Sequence, residues 1–447
     1  MKFINIQRGE WLLFFTFALI AIADAITIEI SYVLSVSGFV SQVGIEQIPV
    51  MWLVDMVIIL GMSGLYSLIV DRVPRLNLVL GLLLIMIGAN VAFRFALVSG
   101  APDWLTYAGL FLWTEQQYVI FPLAFWALAN DTYSVAQSKR LFPLIIALGL
   151  IGRVVGSGYA GASAKIFAGY GLPASELLLT NVFVLLLTFI VLLWASRHFK
   201  VHRARQDKGK FNMREMLSTG WDFMTNVKAF KFLTIAMVCV GCLLAVIEFH
   251  FLRTSDAAFT EPGSFQAFYG YYRMGLTITT LIIQSMLTHK LLNWIGLKSM
   301  FTILPLTLLT GLCWMLLMPG IIGGAVGRFL ARLVFDSVDR PSRQTLQGLI
   351  PEERRGRVST FMGSYLYVMG NICGSTVLLL IILAVNQNWL ETAMSSIIYL
   401  LFGLVVAGIS VYATWMMRKV YDESMLDWRL ARRRRHGATE LMKKLDL

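Results

Sequence analysis

The sequence predicts an all-α membrane protein with about twelve transmembrane helices, arranged as two similar six-helix bundles. Of its 447 residues, 57% are hydrophobic and only 14% are charged, against roughly 25% charged in soluble domains. Runs of about 20 apolar residues, the length that crosses a bilayer as a helix, recur along almost the whole chain. Such runs are too long for barrel strands of about ten alternating residues. Helices therefore remain as the way to pair every backbone group in lipid.

Short polar stretches divide the twelve predicted spans. The first span begins near Trp11 and has no small-residue cleavage site after its apolar core. We therefore expect a permanent helix there and not a removable signal. The spans lie near 9–32, 48–70, 76–98, 104–129, 141–163, 175–196, 231–252, 267–288, 299–318, 320–339, 358–385 and 392–417.

The placement of positive charge predicts the orientation of these spans. With the N-terminus inside, 31 of the 38 Lys and Arg residues fall in the termini and inward-facing loops. Lys165 and Arg253 fall outside, and the other five lie within spans. This asymmetry follows the positive-inside rule. We therefore expect a multi-pass protein of the cell (inner) membrane with both termini cytoplasmic, and no nucleic-acid partner despite the net charge of +12.

One long polar stretch divides the chain between the sixth and seventh spans. Its basic residues alternate with apolar ones such as Met213 and Trp221, which suits helices lying at the cytoplasmic interface. Both this linker and the basic tail that carries Arg432-Arg433-Arg434-Arg435 are expected to bind anionic lipid head groups. The predicted domains are an N-terminal six-helix bundle at 1–196, the linker at 197–230, a C-terminal bundle at 231–418 and a cytoplasmic tail at 419–447.

The two halves align under a shift of 218 residues. The shift places Gly152 on Gly370 and Gly156 on Gly374, so that a Gly-x-x-x-Gly pair recurs at equivalent positions. Small residues four apart let helices approach closely, and we expect packing to be their first role. Internal repetition of this kind is typical of transporter folds.

Two loops resemble the signature loops of the major facilitator superfamily. The loop after span two reads Ser67-x-x-x-Asp71-Arg72-x-x-Arg75, with Ser67 where glycine is usual. The loop after span ten reads Arg340-Pro341-Ser342-Arg343-Gln344, followed by Pro351-Glu352-Glu353-Arg354-Arg355-Gly356-Arg357. The resemblance implies the major facilitator fold, alternating access and an inner latch of charges. Basic loops that only set the topology remain the alternative. The gating candidates in these loops are Asp71, Arg72, Arg75, Asp339 and Arg340.

Twelve ionisable side chains lie inside the predicted spans, where they are costly and mark function. The resemblance implies that spans one, four, seven and ten line a central cavity, and eight of the twelve lie on those spans. This bias indicates a polar path for a solute. The candidates for binding a substrate or a coupling ion are Asp24, Glu29, Glu115, Gln116, Arg153, Glu248, Arg328, Arg332 and Asp336.

The arginines among these candidates favour an anionic solute. Arg328, Arg332 and Asp336 are spaced by four and share one helix face. Two guanidiniums one turn apart can present several donors to a phosphate or a carboxylate. The alternative is an Arg–Asp pair that closes an inner gate. Arg153 lies in a glycine-rich span, where it meets either a ligand or a buried carboxylate.

The carboxylates of the predicted cavity can balance these arginines. Asp24, Glu29, Glu115 and Glu248 are the candidates, and one of them could carry a proton during coupling. Asp55 and Arg273 align under the repeat and lie in the outer parts of their spans. We expect this pair of opposite charges to meet at an outer gate when the protein opens inward.

No catalytic constellation is found in the sequence. It contains no Gly-rich phosphate loop with a following Lys-Ser/Thr, no metal-ligand spacing and no nucleophile elbow. We therefore expect neither an enzyme, nor a cofactor, nor a metal site. Cys239 and Cys242 form a C-x-x-C, but within a span they are expected to be small packing residues.

A second, narrower resemblance covers the end of span four and the start of span five. It reads Phe125-Trp126-Ala127-Leu128-Ala129-Asn130-Asp131, then Lys139-Arg140-Leu141-Phe142-Pro143-Leu144. This stretch is similar to the ATP/ADP carrier (nucleotide transporter) family of intracellular bacteria and plastids. The resemblance implies membrane-embedded lysines and glutamates around a nucleotide. This chain has no lysine well inside a span, so Arg153, Arg328 and Arg332 would have to serve instead.

Three functions remain open from the sequence. The first is a secondary transporter of an anionic or phosphorylated organic solute, with a nucleotide among the candidates. The second is a flippase or exporter of a lipid or amphiphile with the same fold. The third is a membrane assembly protein without transport activity, which would use the linker and tail to dock a membrane-protein partner.

Overall fold

The chain is helical almost throughout. The computed structural model describes residues 6–7, 9–70, 73–198, 221, 224, 225, 227–348, 358 and 361–444. Within these residues twelve long helices follow one another along the chain. They are α1 (Trp11–Gly38), α2 (Ile48–Val70), α3 (Arg75–Val98), α4 (Asp103–Thr132), α5 (Val135–Tyr170), α6 (Leu177–Ala195), α7 (Lys228–Ala258), α8 (Pro262–Ile283), α9 (Leu297–Leu317), α10 (Ile321–Val334), α11 (Leu366–Asn386) and α12 (Thr392–Lys444).

Several helices continue through π-helical turns, in which one extra residue widens the helix. α8 continues through Gln284–Thr288 into the helix His289–Ile295, and α10 continues through Phe335–Asp339 into the helix Arg340–Gly348. The Thr288 hydroxyl donates a hydrogen bond of 2.6 Å to the carbonyl oxygen of Ser337. The π turns of α8 and α10 are therefore joined to each other.

Nine helices in the described part of the chain are long and apolar enough to cross a membrane, by length and composition. These nine are α1, α2, α3, α5, α6, α7, α9, α11 and α12. The other three long helices carry polar side chains such as Glu115, Arg273 and Arg328, which lower their hydropathy. The prediction of a multi-pass membrane protein is confirmed, and the span count of twelve stays a prediction.

Backbone contacts group the chain into two compact units. The first contains 1–211 and 252–281, and the second contains 212–251 and 282–447. Most of α8 thus belongs to the first unit, where it packs closely on α5. A Cβ atom on Gly270 would lie 2.5 Å from the Cα of Gly161, so neither position has room for a side chain. The domain boundaries predicted from the sequence stay a prediction.

The first unit has its core around α1. This helix packs against α4, α5 and α6, and α3 packs against α4 and α6. Phe17, Leu83, Leu128, Leu141 and Leu185 are fully buried or nearly so in this core. These side chains pack closely against one another and fill the space between the helices.

Close packing of α5 on α1 depends on glycine. A Cβ on Gly156 would lie 2.7 Å from the carbonyl oxygen of Ile26, and Gly152 faces the previous turn of α1 in the same way. In the second unit α11 approaches α7 through the aligned glycines. A Cβ on Gly374 would lie 2.7 Å from the carbonyl oxygen of Cys242. Both glycine pairs are therefore helix-packing sites, as their spacing predicts.

Candidate functional site

Glu29 on α1 is a buried carboxylate that holds two arginines. Arg273 on α8 donates to it through Nε (2.8 Å) and Nη2 (3.0 Å), and Arg153 on α5 donates through Nε (2.8 Å). The Glu29 side chain is 1% exposed, whereas that of Arg153 is 31% exposed. The guanidinium of Arg273 also lies 4.2 Å above the ring of Tyr32. We call these three ionised residues the Glu29 cluster.

Glu248 on α7 forms a second group of the same composition. Arg328 on α10 donates to it through Nε (2.8 Å) and Nη2 (2.7 Å), in the bidentate geometry that favours Arg–carboxylate pairs. Arg332, one turn further along α10, donates through Nη2 at 3.1 Å. The side chain of Arg328 is 3% exposed and that of Arg332 is 32% exposed. We call these three residues the Glu248 cluster.

The two clusters share one design. In each, a well-buried arginine donates two hydrogen bonds to one carboxylate. A second arginine, about one-third exposed, also binds that carboxylate. Each cluster carries two positive charges and one negative charge, so a formal charge of +1 remains. The carboxylate is the counter-ion of both arginines. Without it, the unpaired charge in a buried site would cost several kcal/mol. The residual positive charge and the exposed guanidinium make each cluster a site that can attract an anion.

A belt of polar side chains on α4 meets two further carboxylates of the first unit. Gln117 Nε2 donates to Asp24 Oδ1 at 3.0 Å, and Gln116 Nε2 donates to Asp55 Oδ1 at 3.2 Å. Glu115, beside them on α4, is half-buried. The structure therefore places Asp24 and Asp55 against glutamines of α4, Gln116 among them. The arginines lie around Glu29 and Glu248 instead.

The segment that follows the C-terminal end of α10 pairs its charges locally. Asp336 lies 3.3 Å from Arg340, so its ion pair is with that residue and not with Arg332. Arg332, which is also four residues from Asp336, is bound to Glu248 instead. Asp339, one of the predicted gating residues, accepts from Arg343 Nε at 2.7 Å. The hydroxyl of Tyr367 on α11 also donates to Asp339, at 3.2 Å.

The predicted gating residues of the first unit are partly visible. Arg75, at the start of α3, lies 3.8 Å from Asp131 near the end of α4. Asp71 and Arg72 lie outside the described residues. Arg273 is bound to Glu29 and Asp55 to Gln116, so the expected meeting of Asp55 with Arg273 remains a prediction about another state.

Some polar contacts were not among the residues singled out from the sequence. Glu10, just before α1, accepts from Arg140 Nη2 at 2.8 Å and from Gln137 Nε2 at 3.1 Å. Burial raises the pKa of Glu10, but these hydrogen bonds and one from the Gln7 N–H outweigh it, so the pKa lies below its usual value. The signal in the sequence is the capping box of Ser134 and Gln137, which fixes the start of α5 near Arg140.

The fold is that of solved membrane transporters. The chain matches the nucleoside transporter NupG with a TM-score of 0.63, 13% identity and coverage of 92% of this chain and 99% of that one. It matches a bacterial homologue of the iron transporter ferroportin with a TM-score of 0.59, 13% identity and coverage of 93% and 98%. A peptide transporter POT gives a TM-score of 0.59, 11% identity and coverage of 91% and 94%. The predicted class, an all-α membrane protein of the major facilitator fold, is confirmed.

A match to a family of membrane transporters gives the class of the protein. The family described as TLC ATP/ADP transporter matches residues 103–335, a little over half of the chain. The chain belongs to the TLC ATP/ADP transporter family. The matched region contains the stretch on α4 and α5 whose resemblance to nucleotide carriers was noted in the sequence. The predictions of a transporter and of a protein that is not an enzyme are confirmed by this membership.

Curated relatives come from Rickettsia. The chain is 22% identical over 218 residues to ADP,ATP carrier protein 4 of Rickettsia bellii (strain RML369-C), which covers 45% of this chain and 41% of the relative. The protein of the same name in Rickettsia typhi (strain ATCC VR-144 / Wilmington) is 21% identical over 196 residues, covering 41% and 38%. The chain thus spans about two fifths of the length of the curated relatives it matches.

Proposed function

We propose that the protein is a secondary transporter that moves an anionic, phosphorylated solute by alternating access, with a nucleotide such as ADP or ATP as the substrate. The observation that carries the proposal is the pair of arginine clusters on a chain of this family. Arg153 and Arg332 are about one-third exposed, and each belongs to a cluster with a formal charge of +1. The names of the Rickettsia relatives supply the choice of nucleotide.

A guanidinium suits a phosphate because its planar fork presents several N–H donors at once. Arg153 holds Glu29 through Nε, and no other hydrogen bond of its guanidinium is found in the described part of the chain. The Arg153 side chain is 31% exposed, although its Nε is directed to the buried Glu29. A phosphate oxygen could therefore bind Arg153 without breaking the bond to Glu29.

The glutamates give the substrate-free protein a stable state. Without Glu29 or Glu248, an empty transporter would bury two arginines without a counter-ion, at a cost of several kcal/mol. With them, the arginines stay charged and oriented while the substrate is absent. A transporter that must reorient between uptake and release needs such a resting arrangement.

Orientation and lipid contacts belong to the same proposal. The bias of Lys and Arg toward one side supports an inner-membrane protein with both termini in the cytoplasm. The basic linker and tail would contact anionic lipids there. Most of the linker, and the side chains of the basic tail, lie outside what the structure describes.

Uptake into proteoliposomes tests the proposal. Vesicles loaded with ATP should take up labelled ADP in a saturable manner, and Arg332→Gln should reduce the rate by about tenfold or more, equivalent to ~1.4 kcal/mol or more of lost binding or transition-state energy. Arg418→Gln is the matched control, because Arg418 is an exposed arginine on α12, apart from both clusters. It should transport like the wild type.

Three outcomes would overturn the proposal. Equal uptake by wild type and Arg332→Gln would remove the arginines from the substrate path. Movement of a labelled lysolipid between the bilayer leaflets, with no movement of nucleotide, would favour a flippase. Inactivity of every variant toward all solutes would favour an assembly protein.

A further inference from the structure

The buried carboxylates of the first unit fall into two kinds. Glu29 is paired with two arginines, as described above. Asp55 on α2 is 2% exposed, and it receives a hydrogen bond of 3.2 Å from Gln116 Nε2. No Lys, Arg or His forms an ion pair with Asp55 among the described residues. Its negative charge, if present, is therefore not balanced by a side chain there.

Gln116, which donates to Asp55, has a buried acceptor that lacks a hydrogen-bond donor. The residue is 6% exposed, and its Oε1 is buried and receives no hydrogen bond from the described residues. This Oε1 belongs to the same amide group whose Nε2 donates to Asp55. A buried amide oxygen without a donor has lost the hydrogen bonds that water would give it, which is unfavourable. The structure thus places an acceptor without a donor next to a carboxylate without a cation.

A single proton would remove the unbalanced charge of Asp55 and also supply a donor for Gln116 Oε1. If it binds Oδ2 of Asp55, the new O–H can donate to Gln116 Oε1 while Gln116 Nε2 continues to donate to Oδ1. The carboxylic acid and the amide then form a ring with two hydrogen bonds, and no net charge is buried. An ionised carboxylate in the same site would be strongly disfavoured by the loss of its hydration.

The other acids near Asp55 in the sequence and on α4 offer it no positive charge. Glu115, next to Gln116 on α4, is half-buried, and a like charge there would repel an ionised Asp55. Glu46, on the turn Ile45–Gln47 before α2, is exposed. Both neighbours are acids, so neither can neutralise Asp55 as an arginine would.

We propose that Asp55 and Gln116 form a proton-binding site and that this proton is the coupling ion of the transporter. The coupling part rests on the function proposed above, whereas the binding part does not. Protonation adds one proton to Oδ2 and release returns it to water, so no other reactant is needed. Release is favoured in a state where Asp55 meets water or a cation, and Arg273, its equivalent under the repeat, is the predicted cation.

A neighbouring pair repeats this arrangement. Gln117 Nε2 donates to Asp24 Oδ1 at 3.0 Å and to Thr27 Oγ1 at 3.2 Å, and its buried Oε1 likewise receives no hydrogen bond from the described residues. Ca²⁺ and Mg²⁺ are less suited to these sites, since each requires about six or more oxygen ligands. No group of three or more His, Cys, Asp or Glu residues that could hold a metal occurs in the part of the chain described.

Infrared spectroscopy tests proton binding without any substrate. A protonated carboxyl group has a carbonyl stretching band that a carboxylate lacks. We expect the wild type at neutral pH to show such a band and Asp55→Asn to lose the part of its intensity that comes from Asp55. An asparagine amide can form the same two hydrogen bonds with Gln116, so this variant should fold, and a thermal unfolding curve checks this. Asp103→Asn, which alters an exposed acid on α4, is the control and should keep the band. Identical spectra for wild type and Asp55→Asn would overturn the proton site.

Uptake of labelled ADP under a pH gradient tests the coupling. We expect an imposed gradient to change the wild-type rate several-fold, and the rate of Asp55→Asn to be independent of the gradient. The Asp103→Asn control should respond like the wild type. Wild-type uptake that ignores the pH gradient, or that follows a sodium gradient, would overturn proton coupling. Absence of ADP uptake in every protein would instead count against the proposed substrate, while the infrared result still decides the proton site.

Discussion

A buried guanidinium needs a counter-ion, and two glutamates of this protein each serve two arginines. Glu29 binds Arg153 and Arg273, and Glu248 binds Arg328 and Arg332. The sequence predicted these residues individually, because ionisable groups stand out in apolar spans. It could not predict their partners, since Glu29 and Arg273 are 244 positions apart and meet only when α8 packs beside α1 and α5.

Removal of one such carboxylate should destabilise the protein strongly. Glu29→Gln leaves Arg153 and Arg273 without a counter-ion, and we expect a loss of about 3–5 kcal/mol in the free energy of unfolding. Thermal unfolding in detergent micelles would show this as a large fall in the melting temperature.

The control for this variant is an ion pair at a more exposed place. Arg94 and Glu176 lie 2.8 Å apart with side chains 32% and 20% exposed. Glu176→Gln should cost no more than about 1 kcal/mol, as for surface ion pairs. Equal destabilisation by the two variants would mean that the Glu29 cluster does not act as a buried charge group.

At the scale of the helices, glycine decides how closely neighbours approach. The Gly-x-x-x-Gly spacing predicted the packing of α5 and α11, because small residues at that spacing have a direct steric meaning. The hydropathy pattern predicted the helices themselves, but not the π turn in α10. Asp336, within that turn, pairs with Arg340 and not with Arg332, although both arginines are four residues away, so the spacing alone did not decide its partner.

Addition of one methyl group where α5 meets α1 should force these two helices apart. In Gly156→Ala the new Cβ would lie 2.7 Å from the carbonyl oxygen of Ile26, a backbone atom that cannot move aside by itself. We expect a loss of about 1–3 kcal/mol in stability. Gly374→Ala should behave alike in the second unit, where the new Cβ would approach Cys242.

Gly275 on α8 provides the matched control, since no atom lies within 4 Å of a Cβ built there. Gly275→Ala should be neutral or stabilising by up to about 1 kcal/mol, because alanine favours a helix over glycine. Thermal unfolding of the three variants checks the set. A stable Gly156→Ala variant would show that the close approach of α1 and α5 is not required.

At the scale of the whole molecule, the distribution of charge predicts the orientation. Tyr170 and Val135 lie at opposite ends of α5, and both are exposed. In a background without Cys239, Cys242, Cys313 and Cys373, we expect Tyr170→Cys to react with an impermeant maleimide in intact cells. Val135→Cys should react only after permeabilisation. The opposite labelling pattern would show that the termini are not cytoplasmic.

Sequence reasoning reached the fold class and the class of function because both depend on properties that each residue carries by itself. Apolar runs predict spans, and the stretch around Phe125 and Lys139 resembles the family to which the chain belongs. The grouping of 252–281 with the first unit was out of reach, because it depends on the contact of Gly161 with Gly270. The roles of individual site residues also depend on such contacts between distant parts of the chain, and they stay predictions.

The central claim is that the two arginine clusters bind the phosphate groups of a solute, and calorimetric titration of the purified protein tests it most directly. We expect ADP to bind the wild type and adenosine to bind at least about tenfold more weakly, equivalent to ~1.4 kcal/mol. The double variant Arg153→Gln/Arg332→Gln should lose this preference, whereas Arg418→Gln should keep it. Equal affinity for ADP and adenosine in the wild type, or an unchanged preference in the double variant, would contradict the claim.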